Sequence, residues 1–259
     1  MSFTPREILP GVFHIEDCMG VCMTLLAGGR EALLVDTGYG LEDVAACVRS
    51  LTDKPVRVIL THGHHDHALG CRWFAQTWMF PEDAEVFRTY TGRRWRDHVR
   101  GQAVARGFSP QSVPDSDSLW PMPEKLTAGR IDLGGLTARV MLRPGHTPGS
   151  AVVYVPEREL LLTGDDWNPC TWLFFREALP LRDYLAGMRE LLALPFRQVL
   201  CSHRAELYPR AWLEAFLAGI TPEAMEAAED SPEGEAQGIH TRTLKPAPEQ
   251  WIVFDADKA

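Results

Sequence analysis

The sequence predicts an α/β fold in which buried strands are covered by helices. Short apolar runs recur along the chain, separated either by glycine-rich turns or by stretches of helical periodicity. The polar residues with the strongest chemistry directly follow the ends of such runs. At 259 residues, the chain is long enough for one large domain, or two small ones, with a sizeable core. We therefore expect a sheet-based core that presents reactive side chains at one edge.

The elements of the first half follow from the spacing of apolar and turn residues. A Gly28-Gly29-Arg30-Glu31 turn joins two of the predicted strands. The predicted elements are strands at 12–16, 21–27, 32–35 and 56–60 and helices at about 41–51, 68–77 and 82–107. This order of short strands and helices predicts strands buried under helices.

The second half begins with a predicted irregular loop at 109–123, which is rich in Pro, Ser and Asp. The predicted elements after it are strands at 130–133, 136–142, 151–155, 160–163, 197–201 and 250–254 and helices at about 181–194 and 209–218. The segment from 223 to 238 is acidic and contains Pro and Gly, which predicts partial exposure.

Composition excludes several classes of protein. The formal net charge of −9 argues against a general nucleic-acid binder. The six cysteines show no disulfide-scaffold spacing, which favours reduced thiols. We see neither a signal peptide nor an apolar run of membrane-spanning length, so we expect a cytoplasmic protein that does not bind membranes.

The segment Thr61-His62-Gly63-His64-His65-Asp66-His67 places five potential metal ligands within six residues. It follows the apolar run 56–60, so a strand would deliver these side chains to the rim of a sheet. Imidazole together with carboxylate suits zinc, iron or manganese, and the absence of thiolate argues against a closed structural zinc site.

Further candidate ligands follow other apolar runs. His146 lies in a glycine-rich loop after one predicted strand, and His203 directly follows another. Between them, the run 160–163 leads to Gly164 and to two adjacent carboxylates, Asp165 and Asp166. Each candidate therefore lies just past the carboxyl end of a predicted strand, as a rim site between sheets requires.

With Asp36 ahead of this series, the chain resembles the metallo-β-lactamase superfamily of glyoxalase II-like hydrolases. The resemblance implies a four-layer αββα sandwich with the metal site at one edge between the sheets. It also implies a single domain over residues 1–259, with a helical insert at about 82–120. The segment from about 204 to 259 would complete the outer layer.

The resemblance also implies roles for individual residues. His62, His64 and His146 would hold one metal; Asp66, His67 and His203 would hold the other. Asp165 would bridge them and is preferred to Asp166 because Gly164-Asp165 matches the Gly-Asp bridge of the family. Asp66 would also act in catalysis by orienting the attacking hydroxide and transferring a proton. Asp36 would either fix the histidine loop or cap the turn after it.

This site predicts a hydrolase with two divalent metal ions, zinc first, with iron or manganese as alternatives. A hydroxide bridging the metals would cleave a small ester, thioester, lactone or lactam. An alternative within the superfamily is a mononuclear iron persulfide dioxygenase. A glyoxalase II is disfavoured because the segment after His203 has eleven acidic and five basic side chains, a poor host for an anionic glutathione thioester.

The substrate, which we expect to be a small molecule, would meet residues close to the bridge. Trp167, Asn168 and Trp172 are expected to line its pocket. The Arg-rich stretch 82–107 is either a lid that meets a carboxylate or phosphate or a solvated helix. The sequence determines neither the natural substrate nor the oligomeric state.

Overall fold

Residues 3–259 are described by a computed structural model, and the strands and helices of this range alternate along the chain. The strands of its first half are β1 (Thr4–Leu9), β2 (Val12–Glu16), β3 (Cys22–Ala27), β4 (Ala32–Val35), β5 (Val56–Ile59), β6 (Trp78–Met79), β7 (Glu124–Lys125) and β8 (Gly129–Asp132). The later strands are β9 (Thr137–Leu142), β10 (Ala151–Val155), β11 (Leu160–Gly164), β12 (Cys170–Leu173), β13 (Gln198–Cys201), β14 (Tyr208–Pro209), β15 (Glu229–Ser231), β16 (Thr241–Ala247) and β17 (Gln250–Asp255). The α-helices are α1 (Val44–Leu51), α2 (His65–Ala68), α3 (Ala84–Tyr90), α4 (Arg93–Ala105), α5 (Leu181–Leu191), α6 (Arg210–Gly219) and α7 (Pro222–Glu226).

The strands form three sheets. The first sheet holds β1 to β7 in sequential order, antiparallel from β1 to β4 and parallel from β4 to β7. The second has the order β14-β13-β11-β10-β9-β8, and its β11–β13 pair is parallel. The third has the order β12-β17-β16-β15. Strand β5 and the parallel β11–β13 pair therefore lead into the predicted ligand segments.

The first two sheets pack face to face, and side-chain alternation explains how. On β3, Leu26 belongs to the apolar cluster between the two sheets, whereas Leu25 points to the outer side. On β10, Val153 faces the same central cluster, and Tyr154 faces outward. Each central strand is thus buried on both faces, which explains its nearly continuous apolar sequence.

Helices cover both outer faces. Val44 and Val48 of α1 pack on the outer face of the first sheet, and Asp43 caps this helix by accepting a hydrogen bond from the amide of Ala46 at 2.8 Å. Met188 of α5 and Phe216 of α6 pack on the outer face of the second sheet. The layers are therefore helix, sheet, sheet and helix, and the predicted α/β sandwich is confirmed.

The third sheet was not predicted beyond its strand β17. Leu244 of β16 and Phe254 of β17 join the apolar cluster that contains α5 and α6. This small sheet therefore extends the outer layer over the second sheet, and its edge strand β12 leads toward the ligand segments.

The helix predicted at 68–77 is wrong. The structure has the short α2, a 3₁₀ turn at Leu69–Trp73 and an irregular segment leading into β6. Gly70 lies so close to Thr37 that an added Cβ would be 2.0 Å from the Thr37 carbonyl oxygen. A regular helix would not bring the backbone into this contact, so the tight turn follows from packing against the loop that follows β4.

The helical prediction for residues 82–107 is confirmed by α3 and α4. Within residues 3–259, no helix combines the length and the apolarity that crossing a membrane requires.

Candidate metal centre

The structure brings the predicted ligands together in two adjacent groups at one edge of the sandwich. The first donor group consists of His62, His64 and His146. The second donor group consists of Asp66, His67, Asp165 and His203. Within each group, every residue offers one ligand atom that lies within 4.8 Å of the others.

The imidazoles of the first donor group converge on a common point. His64 Nδ1 lies 3.0 Å from His146 Nε2. The ring of His62 is edge-on to both, with centroid distances of 4.7 Å to His64 and 4.9 Å to His146. His62 Nε2 is buried and has no hydrogen-bond partner in the described part of the chain. Three nitrogen donors thus face one small volume.

The second ring nitrogen of each histidine in the first donor group contacts a neighbouring residue. His146 Nδ1 lies 2.7 Å from the carbonyl oxygen of Trp172, which can only accept, so Nδ1 carries the proton and Nε2 keeps its lone pair. His64 Nε2 lies 2.8 Å from the Glu177 carboxylate. His62 Nδ1 lies 3.0 Å from the Thr61 hydroxyl. This pattern is typical of metal-ligating histidines, whose second nitrogen is fixed by an acceptor.

The second donor group is a charged cluster centred on Asp165. One carboxylate oxygen of Asp165 is 2.9 Å from His203 Nε2, and the other is 3.4 Å from His67 Nε2. Asp66 Oδ2 lies 3.6 Å from both of these imidazole nitrogens. Asp165 Oδ2 is also 3.8 Å from His146 Nε2 of the first donor group. The carboxylate of Asp165 therefore faces histidines of both donor groups.

Asp36 fixes His67. It sits at the end of β4 with φ of +66°, and one of its carboxylate oxygens lies 2.9 Å from His67 Nδ1. The other oxygen accepts from the backbone amide of Thr61 at 2.7 Å. Of the two roles considered for Asp36, the geometry supports the one that fixes the histidine loop.

The two groups have opposite titration behaviour. In the first, burial lowers the pKa of His146 to about 4 and that of His62 well below its ordinary value. In the second, burial also opposes the charge on His67, but the carboxylates of Asp165 and Asp66 outweigh it and hold its pKa well above the ordinary value. The same carboxylates raise the pKa of His203 against the effect of burial.

Asp166 supports the site from behind and is not part of either donor group. It accepts a hydrogen bond from the backbone amide of His146 at 3.0 Å, and Tyr184 donates to its carbonyl oxygen at 2.5 Å. Burial raises the pKa of its carboxyl to about 8. The structure therefore places Asp165 among the donors and Asp166 beneath the His146 loop.

Asp83 is a structural residue that the sequence did not indicate. Its buried carboxylate accepts from the amide of Gly63 at 2.7 Å, the hydroxyl of Thr147 at 2.9 Å and the amide of Gly149 at 2.5 Å. It thereby ties the loop of His62 and His64 to the loop of His146. Burial raises the pKa of this carboxyl above its ordinary value.

A cavity of about 560 Å³ opens beside both donor groups. Asn168 and Trp172 line it, where they were expected, and His65 also reaches its wall. Trp167 does not line it, which corrects the expectation for this residue. Its side chain is fully buried in the outer core, with its ring 5.6 Å from that of Tyr208, because the chain at 163–167 turns it away from the donors.

Of the two roles considered for the Arg-rich stretch 82–107, the structure supports the solvated helix, because Arg88, Arg93 and Arg94 are exposed. Its two more buried arginines bind backbone carbonyl groups. Arg96 is fully buried and donates to the carbonyl oxygens of Thr91 at 2.6 Å and Asp115 at 2.8 Å. Arg100 donates to the carbonyl oxygen of Val113 at 2.8 Å. These guanidinium groups hold the loop after α4 and are not directed at a ligand.

Comparisons with known proteins agree with this architecture. The sequence profile of the family described as the metallo-beta-lactamase superfamily matches residues 17–166. The probable metallo-hydrolase YqgX of Bacillus subtilis (strain 168) is 23% identical over 177 residues, covering 68% of this chain and 76% of that protein. Acyl-coenzyme A thioesterase MBLAC2 of Homo sapiens is 27% identical over 194 residues, covering 66% of this chain and 66% of that protein.

Solved structures share the fold at low sequence identity. The metallo-beta-lactamase family protein TTHA1429 of Thermus thermophilus gives a TM-score of 0.57 at 23% identity, covering 85% of this chain and 82% of that one. The sec-alkylsulfatase Pisa1 from Pseudomonas sp. gives a TM-score of 0.65 at 16% identity, covering 87% of this chain and 43% of that one. These likenesses establish the fold and leave the reaction to be argued from the site.

Proposed function

Because the chain belongs to the metallo-beta-lactamase superfamily, we propose that it is a hydrolase that uses two divalent metal ions to cleave a small ester, thioester, lactone or lactam. The observation that carries this proposal is the meeting of two donor groups at Asp165. The relatives that match about two thirds of the chain include a probable metallo-hydrolase and an acyl-coenzyme A thioesterase, which supports hydrolysis in general.

The residues fit a pair of metal ions. Three buried polar atoms at the site, His62 Nε2, His67 Nε2 and Asp165 Oδ1, have no hydrogen-bond partner among the described residues. Each such atom costs about 1–3 kcal/mol when it is left unsatisfied, and a bound cation would remove this cost. Both groups are built from imidazole and carboxylate, which zinc accepts and which iron and manganese also accept.

Two bound cations would lower the pKa of a shared water toward about 7 and polarise the carbonyl of the substrate. The chain contributes the orientation of the reactants. Asp66 lines the cavity and lies 3.6 Å from both His67 and His203, so it can orient the attacking water and pass its proton to the leaving group. Asp36 and Glu177 keep His67 and His64 in place.

The first substrates to test are carboxylic thioesters and esters, because one of the relatives is named an acyl-coenzyme A thioesterase. A β-lactam and a lactone belong in the same panel as the remaining members of the proposed class. We propose a cytoplasmic location, supported by the buried thiols of Cys22, Cys71 and Cys201, which form no disulfide and whose pKa values burial raises to about 12.

Metal content and turnover together test the proposal. We expect about two zinc ions per chain in protein purified without chelating resin. Hydrolysis of at least one substrate in the panel should disappear on chelation and return with zinc. His64→Ala should abolish it, whereas Glu214→Gln, a change on the exposed side of α6, should not. A single iron per chain, with oxygen consumed in the presence of a persulfide, would instead support the dioxygenase alternative.

A further inference from the structure

An aromatic stack from the helical insert forms one side of the cavity. Trp95 of α4 lies parallel to His65, with ring centroids 4.9 Å apart and an interplanar angle of 20°. It also lies parallel to Tyr90 of α3, at 4.6 Å and 24°. Tyr90 in turn contacts the ring of His64 at 4.2 Å. We call His65, Tyr90 and Trp95 the insert wall; all three residues line the cavity, and Tyr90 contacts the first donor group at His64.

A second aromatic cluster comes from β12 and the residues directly after it. Phe175 lies 4.8 Å from the ring of His64 and 5.3 Å from that of His146. Phe174 stacks on Phe175 at 4.8 Å, and Trp172 lies 5.3 Å from Phe174. We call Trp172, Phe174 and Phe175 the strand wall. Both walls therefore begin at the first donor group and line the same cavity.

Trp172 is the most exposed residue of the strand wall. Its side chain is 43% exposed, whereas Phe174 is fully buried. A ligand that packs beside this indole would remove its apolar surface from water, which favours binding. The backbone carbonyl of Trp172 accepts the hydrogen bond from His146 Nδ1. Its exposed indole takes no part in that hydrogen bond and can contact a ligand.

The charged residues that line the cavity favour an uncharged ligand in the part of the cavity away from the two donor groups. Among the described residues that line it, Arg204 is the only lysine or arginine, and its guanidinium donates to the carbonyl oxygen of His203 at 3.0 Å. Glu233 is an acidic residue of the lining outside the donor groups. Recognition of phosphates or several carboxylates normally uses clustered guanidinium and ammonium groups, and this lining has no such cluster.

We propose that the insert wall and the strand wall bind an uncharged aromatic or extended apolar group next to the scissile carbonyl, and that Trp95 and Trp172 set this specificity. This inference rests on the proposed hydrolase function and names the substrate class of the same site. Stacking on Trp95 and burial against Trp172 would both strengthen with the size of the apolar group.

Two matched thioester series test the proposal. N-acetylcysteamine thioesters carry an uncharged leaving group, and coenzyme A thioesters of the same acids carry a highly anionic one. Each series would contain acetyl, hexanoyl and phenylacetyl groups, and kcat/KM would be measured for the zinc-loaded protein. We expect the uncharged hexanoyl and phenylacetyl thioesters to be preferred over the acetyl thioester about tenfold or more. Coenzyme A thioesters should show no advantage.

Variants assign the preference to the two walls. Trp95→Ala and Trp172→Ala should each reduce kcat/KM for the phenylacetyl thioester about tenfold, mainly through KM, and change the acetyl value much less. Trp95→Phe and Trp172→Phe should retain most of the preference. Met122→Ala, at an exposed apolar residue that does not line the cavity, should match the wild-type protein.

A binding measurement keeps this inference separate from the hydrolase proposal. The neutral thioether S-(2-phenylethyl)-N-acetylcysteamine cannot be hydrolysed, and its affinity can be compared by calorimetry with that of the S-methyl analogue. We expect about tenfold tighter binding of the phenylethyl compound, lost in Trp172→Ala. Equal binding, equal turnover of all acyl groups or a strong preference for coenzyme A would overturn the inference. Absence of turnover with selective binding would overturn only the hydrolase proposal.

Discussion

The two donor groups lie side by side yet differ in charge. The first donor group contains only imidazoles, and burial lowers the pKa of His146 to about 4. The second donor group contains carboxylates, and these hold the pKa of His67 above its ordinary value although burial opposes it. At neutral pH His62 and His146 therefore present free lone pairs, whereas a metal bound to the second group would displace protons. The carboxylates of the second donor group thus change how readily its histidines give up their protons to a metal.

Asp165 joins the two groups, so its removal tests the comparison most severely. Asp165→Asn would keep the size of the side chain but remove the charge that faces His67, His203 and His146. We expect loss of the second metal and a fall of about a thousandfold or more in kcat. Metal analysis and steady-state kinetics would measure both effects. Two metals retained with activity within tenfold of wild type would contradict the bridging role.

Lowering the pH should release the two metals in a defined order. The pKa values of His67 and His203 are raised and those of His62 and His146 are lowered, so His67 and His203 gain protons before His62 and His146 as the pH falls. Each proton displaced by a metal weakens apparent affinity about tenfold per pH unit below the pKa. Between pH 7 and about 5, the second metal should therefore dissociate first, since His146 stays neutral down to about 4. Metal content after dialysis at each pH would show this order, and simultaneous loss would contradict it.

Asp36→Asn should affect the second donor group selectively. Asparagine also tolerates the positive φ of this position, so the backbone can stay in place. Its single oxygen would be drawn to the amide of Thr61, which leaves the amide nitrogen facing His67 Nδ1. That contact favours the tautomer with the proton on His67 Nε2, the atom needed for the metal. We expect second-metal affinity to fall about 10–100-fold, measured by competition with a chelator.

The control for Asp36→Asn is the first metal, whose affinity should change much less. A uniform loss of both metals, or a loss of the folded state in circular dichroism, would show that Asp36 stabilises both donor groups and does not act only on His67.

The sequence predicted the parts of this structure that are locally encoded. His62 to His67, His146, Asp165 and His203 each follow directly on an apolar run, and such runs end at the same sheet edge in an α/β sandwich. Strand β1 was missed because Thr4–Leu9 is mostly exposed and lacks apolar alternation. Trp167 was misplaced because its nearness to Asp165 in sequence does not determine which way its side chain turns.

The residues that hold the two donor groups in position could not be predicted from the sequence. Glu177 contacts His64 across 113 positions, and Asp83 contacts Gly63 across 20. A carboxylate after a proline in Pro81-Glu82-Asp83 has the pattern of an ordinary helix start. Only the packing of the insert against the His146 loop turns Asp83 into a buried acceptor of three hydrogen bonds.

Glu177→Gln should have the smallest effect and should affect the first donor group alone. The carboxylate of Glu177 lies 2.8 Å from His64 Nε2, and its pKa is lowered to about 2 by His64 and Tyr90 although burial opposes this. The Glu177 side chain is 18% exposed, so the amide of a glutamine can rotate and still offer its oxygen to His64. We expect a fewfold loss of first-metal affinity for Glu177→Gln and about tenfold for Glu177→Ala, which removes the acceptor. The same chelator competition would measure both. If both variants lost the second metal instead, Glu177 would not be acting through His64. That result would contradict the electrostatic difference inferred between the two donor groups.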